Sequence, residues 1–215
     1  MADEVDIWAV VAAERGALAA DLGRLTDEQW QTTSLCSDWS VRRVVGHMTA
    51  TASLTPLTFL GNLAKAGFSF NAFSNAQIDK HLGPGNRATL ANFQAVQHST
   101  SAPPGPRASW LGEALVHAED IRRPLGIAHT YDPAGVRAAA DFYKSSNTLI
   151  GTKNRIAGLR LQATDASWSH GEGEEVTGPM MSLLMAMTGR VAATGDLTGP
   201  GAATLRDRSA GSTAH

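Results

Sequence analysis

Two residues of types that commonly bind metal ions lie one helical turn apart in the segment LGEALVHAEDIRRPLG. They are Glu113 and His117, and His47 lies upstream in SDWSVRRVVGHMTA as a third residue of this kind. Positions i and i+4 of an α-helix share a face and are about 6 Å apart along the axis. Two imidazoles and one carboxylate leave coordination positions open, which is typical of metal sites that carry out chemistry. If the three converge, the chain is a metal-dependent enzyme; if they do not, it is a helical domain with surface histidines.

Other polar residues surround the Glu113–His117 pair. Asp120 lies three residues past His117 on the same side of the helix, where it can hold the imidazole in one tautomer. Arg122 and Arg123 can bind a carboxylate of a substrate or cofactor, although cations near a helix C-terminus are also favoured by the helix dipole. On a helical wheel the Glu113, His117 and Asp120 positions lie at the edge of the apolar stripe. That position fits a cleft that admits substrate, and it fits plain solvent exposure equally well.

The segments that must position these residues have the periodicity of helices. Residues 4–22 form the first predicted helix, Thr26 with Gln29 fits a capping box, and Ser40 is the expected N-cap of the helix that carries His47. Pro56 is expected to kink or end that helix. Helices are also predicted at 71–82 and 86–100. A loop at 101–107 precedes further predicted helices at 108–122 and from Pro133 to about residue 149. Helices with such short connectors predict an antiparallel bundle through residue 150.

The pattern changes after Gly151. Residues 155–164 place apolar side chains in alternation, which predicts a strand, and a second strand is expected at 174–177. Pro179 and Gly189 bracket an apolar helix, and residues 206–215 are expected to fray. About 60 residues of this kind make a marginal core alone, so this part is expected to pack on the bundle. The predicted organisation is therefore a bundle at 1–150, a small α+β domain at 151–208 and a disordered tail at 209–215.

Composition excludes several classes of function. The 215-residue chain carries a formal net charge of −2, which provides no basic footprint for a nucleic acid. Its apolar stretches are too short for a membrane span, and its acidic N-terminus does not resemble an export signal. The lone Cys36 excludes an internal disulfide framework, suits a reducing cytoplasm and is expected to be buried rather than nucleophilic. Arginine far outnumbers lysine, which hints at an actinobacterial type of source.

The run CSDWSVRRVVGHMTA, followed later by EALVHAEDIRRPLG, resembles the mycothiol-dependent maleylpyruvate isomerase family of the DinB-like metalloenzyme superfamily. The segment GLRLQATDASWSHGEGEEVTGPMMSLLMAMTGR is similar to the small α+β domain that follows the bundle in that family. The resemblance implies a mainly α fold, a DinB-like antiparallel four-helix bundle followed by a small α+β C-terminal domain. It also implies a divalent metal on His47, Glu113 and His117. Arg190 stands where the family's C-terminal helix ends in Thr-Gly-Arg, so the resemblance implies that it reaches the active site.

A mechanism follows from three protein ligands and an open position. A divalent cation, with zinc as the default, lowers the pKa of a coordinated thiol such as mycothiol. The thiolate adds to an electrophilic small molecule, which gives isomerisation if the addition is transient and S-conjugation if it is permanent. The expected protein is thus a cytoplasmic, mycothiol-dependent isomerase or S-transferase, and DinB-like bundles also suggest a homodimer.

Two other functions remain open at this point. In a metal-dependent hydrolase of the same fold, the metal would activate water instead of a thiol. In a non-catalytic, stress-associated protein, the site would bind metal without turnover. Trp39 likewise has two interpretations, because it either forms a wall of the pocket or packs as a staple beside Ser40.

Overall fold

The computed structural model describes residues 5–36, 39–147 and 150–211. Contacts divide them into two compact units. The N-terminal unit comprises residues 6–34 and 39–129, and the C-terminal unit comprises the described residues from Thr130 onward with Val5, Leu35 and Cys36. The predicted mainly α fold with a small α+β part is confirmed. The predicted domain boundary near residue 150 stays a prediction, since the division by contacts falls near residue 130.

The N-terminal unit consists of helices joined by short connectors. Their bounds are α1 Ile7–Leu22, α2 Asp27–Trp30, α3 Val41–Ser53, α4 Pro56–Lys65, α5 Phe70–Leu82, α6 Asn86–Ala95 and α7 Arg107–Arg122. Helix α7 packs against α1 and α3, while α3 also packs against α5 and α6. Ten of the sixteen residues of α7 are buried, so this helix is central to the unit. None of the helices in the described residues is both long and apolar enough to cross a membrane.

Local sequence signals set the ends of these helices. The predicted capping box of Thr26 with Gln29 is present, and the Ser40 hydroxyl accepts the backbone N–H of Arg43. The expected break near Pro56 is also confirmed, since α3 ends at Ser53 and the proline occupies the first turn of α4. A proline is tolerated there because the first N–H groups of a helix have no intrahelical partner.

Helices α3 and α5 approach closely at Gly46. A Cβ atom added at Gly46 would lie 2.8 Å from a methyl carbon of Leu82, which is shorter than an ordinary van der Waals contact. The absence of a side chain therefore allows α5 to pack on α3 directly beside His47. A larger residue at this position would push apart the two helices that flank the histidine.

The C-terminal unit combines helices with a three-stranded sheet. Its elements are α8 Pro133–Tyr143, α9 Thr152–Arg155, β1 Leu159–Ala163, β2 Ser169–His170, β3 Glu174–Gly178, α10 Met180–Met187, a 3-10 helix Val191–Asp196 and α11 Ala202–Ala210. The sheet order is β2-β1-β3, with β1 antiparallel to β2 and parallel to β3. Leu161 pairs with both His170 and Val176. Helix α10 is buried on nearly all sides, as its apolar sequence suggests.

Three predicted segments of this region differ from the structure. Helix α8 ends at Tyr143, short of the predicted end near residue 149, although residues 148–149 lie outside the described residues. The start of the strand predicted at 155–164 is wrong, because α9 extends to Arg155 and β1 begins at Leu159. Fraying from residue 206 is wrong as far as Ala210, since buried Ser209 donates to the Ala186 and Leu205 carbonyls. The last four residues of the predicted tail lie outside the described residues.

Helices α1 and α7 are joined by a buried ion-pair network. The fully buried Arg122 donates from Nε to Asp21 Oδ2 at 2.8 Å, and its Nη1 lies 3.7 Å from Glu14 Oε2. His129 Nε2 lies 2.8 Å from the same Glu14 oxygen. A buried charge is tolerated only when it is paired, so each member of the network depends on the others.

Replacing Arg122 with alanine is expected to lower the free energy of unfolding by about 3–5 kcal/mol, because it removes the buried cation that pairs with both Asp21 and Glu14. Urea denaturation followed by circular dichroism measures the change. The matched control is Arg24→Ala, whose 79% exposed side chain lies 3.9 Å from the same Asp21. We expect the control to lose less than about 1 kcal/mol. Equal losses in the two variants would contradict the role given to burial.

Candidate metal centre

The three residues singled out by sequence converge in the N-terminal unit. One ligand atom each from His47, Glu113 and His117 lies within 4.8 Å of the other two. His47 Nε2 is 3.7 Å from Glu113 Oε1, and the rings of His47 and His117 meet edge-on with their centroids 4.9 Å apart. Helix α3 supplies one imidazole, and successive turns of α7 supply the carboxylate and the other imidazole. The site is therefore made by the packing of α3 on α7.

The Glu113 carboxylate is buried in an unusual way. Within the described residues neither of its oxygens has a partner of hydrogen-bond geometry. Burial raises the pKa of Glu113 above its ordinary value, while His117, Arg15 and the Thr51 hydroxyl act in the opposite direction. A buried polar group without a partner costs about 1–3 kcal/mol, and more when it is charged. A cation between the imidazoles and this carboxylate would remove that cost.

His117 is held by a second acidic residue. Its Nδ1 lies 3.0 Å from Oδ2 of Asp120, which is fully buried. An ionised carboxylate only accepts hydrogen bonds, so Nδ1 carries the hydrogen and Nε2 presents its lone pair. The position predicted for Asp120, on the same side of α7 as His117, is confirmed by this contact. The solvent-exposed alternative for these residues is wrong, since His117 and Asp120 are both buried.

Arg15 is a residue of this site that the sequence interpretation missed. It is buried, and its Nη1 donates to the carbonyl oxygens of Val96 and Ser99 at 3.3 and 2.8 Å. Burial lowers its pKa, and the charge of Glu113 opposes that change. The signal was present in the sequence, because Arg15 lies three residues after Ala12 and four before Ala19 on the apolar face of α1. A cation in the middle of such a face indicates a buried acidic partner.

Trp39 packs against His47, the third candidate ligand. The centroid of its ring is 5.3 Å from that of His47, and the guanidinium carbon of Arg43 is 5.9 Å from the indole centroid. Arg43 in turn donates to Asn75 and lies 3.3 Å from Asp79, both of α5. The contact with His47 supports the interpretation of Trp39 as a wall of the pocket.

The arginines proposed from sequence have other contacts. Arg122 belongs to the ion-pair network with α1, and Arg123 donates to Glu119 one helical turn earlier at 3.0 Å. Arg190 belongs to the C-terminal unit, where it is buried and its Nη1 donates to the Thr188 carbonyl. Cofactor binding by Arg122 and Arg123 and catalysis by Arg190 stay predictions. Cys36 is buried, as expected.

The metal-free protein is expected to lose stability as the pH rises above the ordinary range of a glutamate. Because the pKa of Glu113 is higher in the folded state than in the unfolded chain, the folded state binds more protons in that window. Glu113→Gln removes the titrating carboxyl group and should make the free energy of unfolding of the metal-free protein depend less on pH. Urea midpoints between about pH 4 and pH 8 in the presence of a chelator measure the effect. Glu119→Gln on the same helix is the control. An equal decrease in the pH dependence of stability in that variant would contradict the attribution of this dependence to Glu113.

Comparisons with solved structures show the same fold elsewhere. The chain matches a crystal structure of a mycothiol-dependent maleylpyruvate isomerase variant, in which one histidine is replaced by alanine, with a TM-score of 0.60 and 15% identity. A second crystal structure of a mycothiol-dependent maleylpyruvate isomerase matches with a TM-score of 0.57 and 12% identity. Each match covers 91% of this chain and 92% of the other. No curated protein sequence matches the chain.

A family model assigns the sequence more directly. The model described as the mycothiol maleylpyruvate isomerase N-terminal domain matches residues 11–123, which is more than half of the chain. The matched segment begins within α1 and ends one residue after α7, and it contains His47, Glu113 and His117. The chain belongs to the mycothiol maleylpyruvate isomerase N-terminal domain family.

Proposed function

We propose that this chain is a metal-dependent and mycothiol-dependent enzyme, an isomerase or a thiol S-transferase that acts on an electrophilic small molecule. The observation that carries the proposal is the convergence of His47, Glu113 and His117 around a buried carboxylate without a hydrogen-bond partner among the described residues. The family of the chain and the named activity of its structural neighbours support the use of mycothiol. The lone, buried Cys36 supports a cytoplasmic enzyme whose reactive sulfur comes from the thiol substrate.

The donor set fits a divalent cation. Ligands at about 2.0–2.2 Å from a tetrahedral ion lie roughly 3.4 Å from one another, and the His47–Glu113 distance of 3.7 Å is close to this value. Imidazole and carboxylate ligands suit zinc and several other first-row ions, with zinc as the default. When bound, the cation lowers the pKa of the thiol, and addition of the thiolate to an electrophilic carbon gives an isomer if the thiol is released and an S-conjugate if it is retained.

The residues of the chain prepare the site for that chemistry. Asp120 accepts the Nδ1 hydrogen of His117, which leaves the lone pair on Nε2 available to bind a cation. The charge of Arg15 favours the ionised form of Glu113. Trp39 packs on the ring of His47 and limits its rotation. Among the three ligands His47 is the most exposed, at 26% against 10% for the other two side chains, so solvent and substrate reach the cluster most easily beside it.

Purified protein is expected to contain one divalent ion per chain and to bind mycothiol. His47→Ala should lose both the ion and thiol-dependent turnover, because two ligands hold the ion much more weakly than three. His98→Ala, at an exposed histidine of the same unit, should retain both. Elemental analysis and calorimetry with mycothiol measure the two properties. Metal retained at full stoichiometry in His47→Ala would remove this residue from the site.

The fate of the thiol separates the enzymatic alternatives. Isomerisation of maleylpyruvate with mycothiol present should leave the concentration of free thiol unchanged, whereas S-transfer should consume one thiol for each product. Bound metal without any binding of mycothiol would favour the hydrolase instead. Bound metal without turnover of any electrophile would favour a non-catalytic metal-binding protein.

Asp120→Asn is expected to weaken metal affinity by about 10–100-fold, because the amide no longer favours the required tautomer of His117. Competition with a chromophoric zinc chelator measures the affinity. Glu119→Gln changes the neighbouring carboxylate, which pairs with Arg123, and serves as the control. An unchanged affinity in Asp120→Asn would contradict the positioning role of this residue.

A further inference from the structure

Helix α4 lies on the surface with an apolar face. None of its residues is buried, and Leu57 and Leu60 are 80% and 57% exposed. Phe68 and Phe70, just after the helix, are 77% and 54% exposed. Among the described residues, only Val191 is a large exposed hydrophobic side chain outside this segment. Contiguous exposed apolar surface of this kind marks an interaction site.

The exposed residues have the spacing of a helix-packing surface. Leu57, Leu60, Gly61 and Ala64 stand at positions i, i+3, i+4 and i+7, all are exposed, and together they form what we call the α4 face. A Cβ atom at Gly61 would have no neighbour within 4 Å. Small residues beside two leucines allow another helix to approach closely and pack between them. The α4 face is therefore shaped to receive a helix.

Helix α4 is well defined despite its exposure. Thr55 and Thr58 form a capping box at its start, with Pro56 in the first turn. The ring of Phe59 meets that of Phe73 on α5 edge-on, with centroids 5.0 Å apart. The helix is thus anchored on one side by an aromatic contact and leaves the α4 face directed outward.

The charge of this segment restricts the partner. From Thr55 to Ile78 the sequence contains a single charged residue, Lys65. Nucleic acids, anionic membranes and acidic or basic peptides need a complementary charge, which this surface does not provide. A second copy of the same surface brings no repulsion and matches its apolar character. Homodimer interfaces are also the class of interface with the most apolar character.

The exposed apolar area of the α4 face together with Phe68 and Phe70 is close to the lower limit for a dimer. If a large apolar side chain offers roughly 150–200 Å², the four exposed leucine and phenylalanine side chains supply about 450 Å² per chain. Two copies would bury about 900 Å² from these side chains alone, near the lower limit of about 1,000 Å² for a specific interface. Gly61, Ala64 and the helix backbone add to this area.

We infer that the α4 face is the interface of a homodimer in which α4 packs antiparallel on α4 of a second copy across a twofold axis. A twofold axis places the same residues on both sides of the contact. The midpoint of the α4 face lies between Leu60 and Gly61, so these two residues meet their own copies at the axis. This interface does not depend on the proposed metal or thiol.

Sedimentation velocity and light scattering of the full chain test the inference. The native protein should have twice the chain mass of 22.6 kDa at micromolar concentrations. Leu60→Asp should raise the dimer dissociation constant at least about a hundredfold, because a carboxylate would be buried at the axis without a counter-charge. Val191→Asp, at the exposed residue outside the segment, should leave the dimer intact. Circular dichroism and a cooperative urea transition confirm that each variant is folded.

A disulfide test locates the axis. Gly61→Cys is expected to give a disulfide-linked dimer under mild oxidation, since the position has room for a side chain and native Cys36 is buried. Val191→Cys should give none. A native protein that is monomeric, or a dimer that persists in Leu60→Asp, would overturn the inference. A monomer that floats with neutral phosphatidylcholine vesicles, and ceases to do so in Leu60→Asp, would overturn it in favour of a lipid surface.

Discussion

The carboxylate of Glu113 is buried beside two imidazoles, and its burial carries a desolvation cost. Helices α1, α3 and α7 of the N-terminal unit each supply a residue that offsets part of this cost. Desolvation disfavours the anion, which is why the pKa of this group is raised. Three groups oppose that effect: His117 on the same helix, Arg15 on α1 and the Thr51 hydroxyl on α3. A hydrophobic residue would pack more easily in this position. An ionisable side chain buried among other titratable groups is typical of a functional site, and it fits the metal site proposed above.

Helix α1 contributes to this arrangement with two adjacent charged residues. Arg15 faces the Glu113 side of α7, and Glu14 pairs with Arg122 near the end of that helix. The register of α1 along α7 is therefore fixed at two points. A shift of either helix by one residue would leave charges buried without partners, at a cost of several kcal/mol. The same contacts that stabilise the unit thus keep Glu113 and His117 of α7 in place.

Much of the N-terminal unit follows from local rules. The capping residues Thr26 and Ser40, the break before Pro56 and the i, i+4 pair on α7 are each set by a few neighbouring residues, so the sequence predicts them well. Contacts between distant segments are harder to predict. The depth at which His117 and Asp120 are buried depends on how α1 and α3 pack on α7, and a helical wheel of α7 alone places them at the edge of the core. The short helix α9 precedes β1 because tertiary packing there overrides a weak alternating pattern.

The ion pair between Arg122 and Asp21 joins residues 101 positions apart in the chain. At a translation rate of 5–20 residues per second, α1 leaves the ribosome roughly 5–20 s before α7 becomes available to it. During that interval Glu14 and Arg15 lack their partners on α7, although the carbonyl groups of Val96 and Ser99 that bind Arg15 are already available. The ion pairs between α1 and α7 can therefore form only after most of the unit has been synthesised, so the pairing of its first and last helices is a late step of folding.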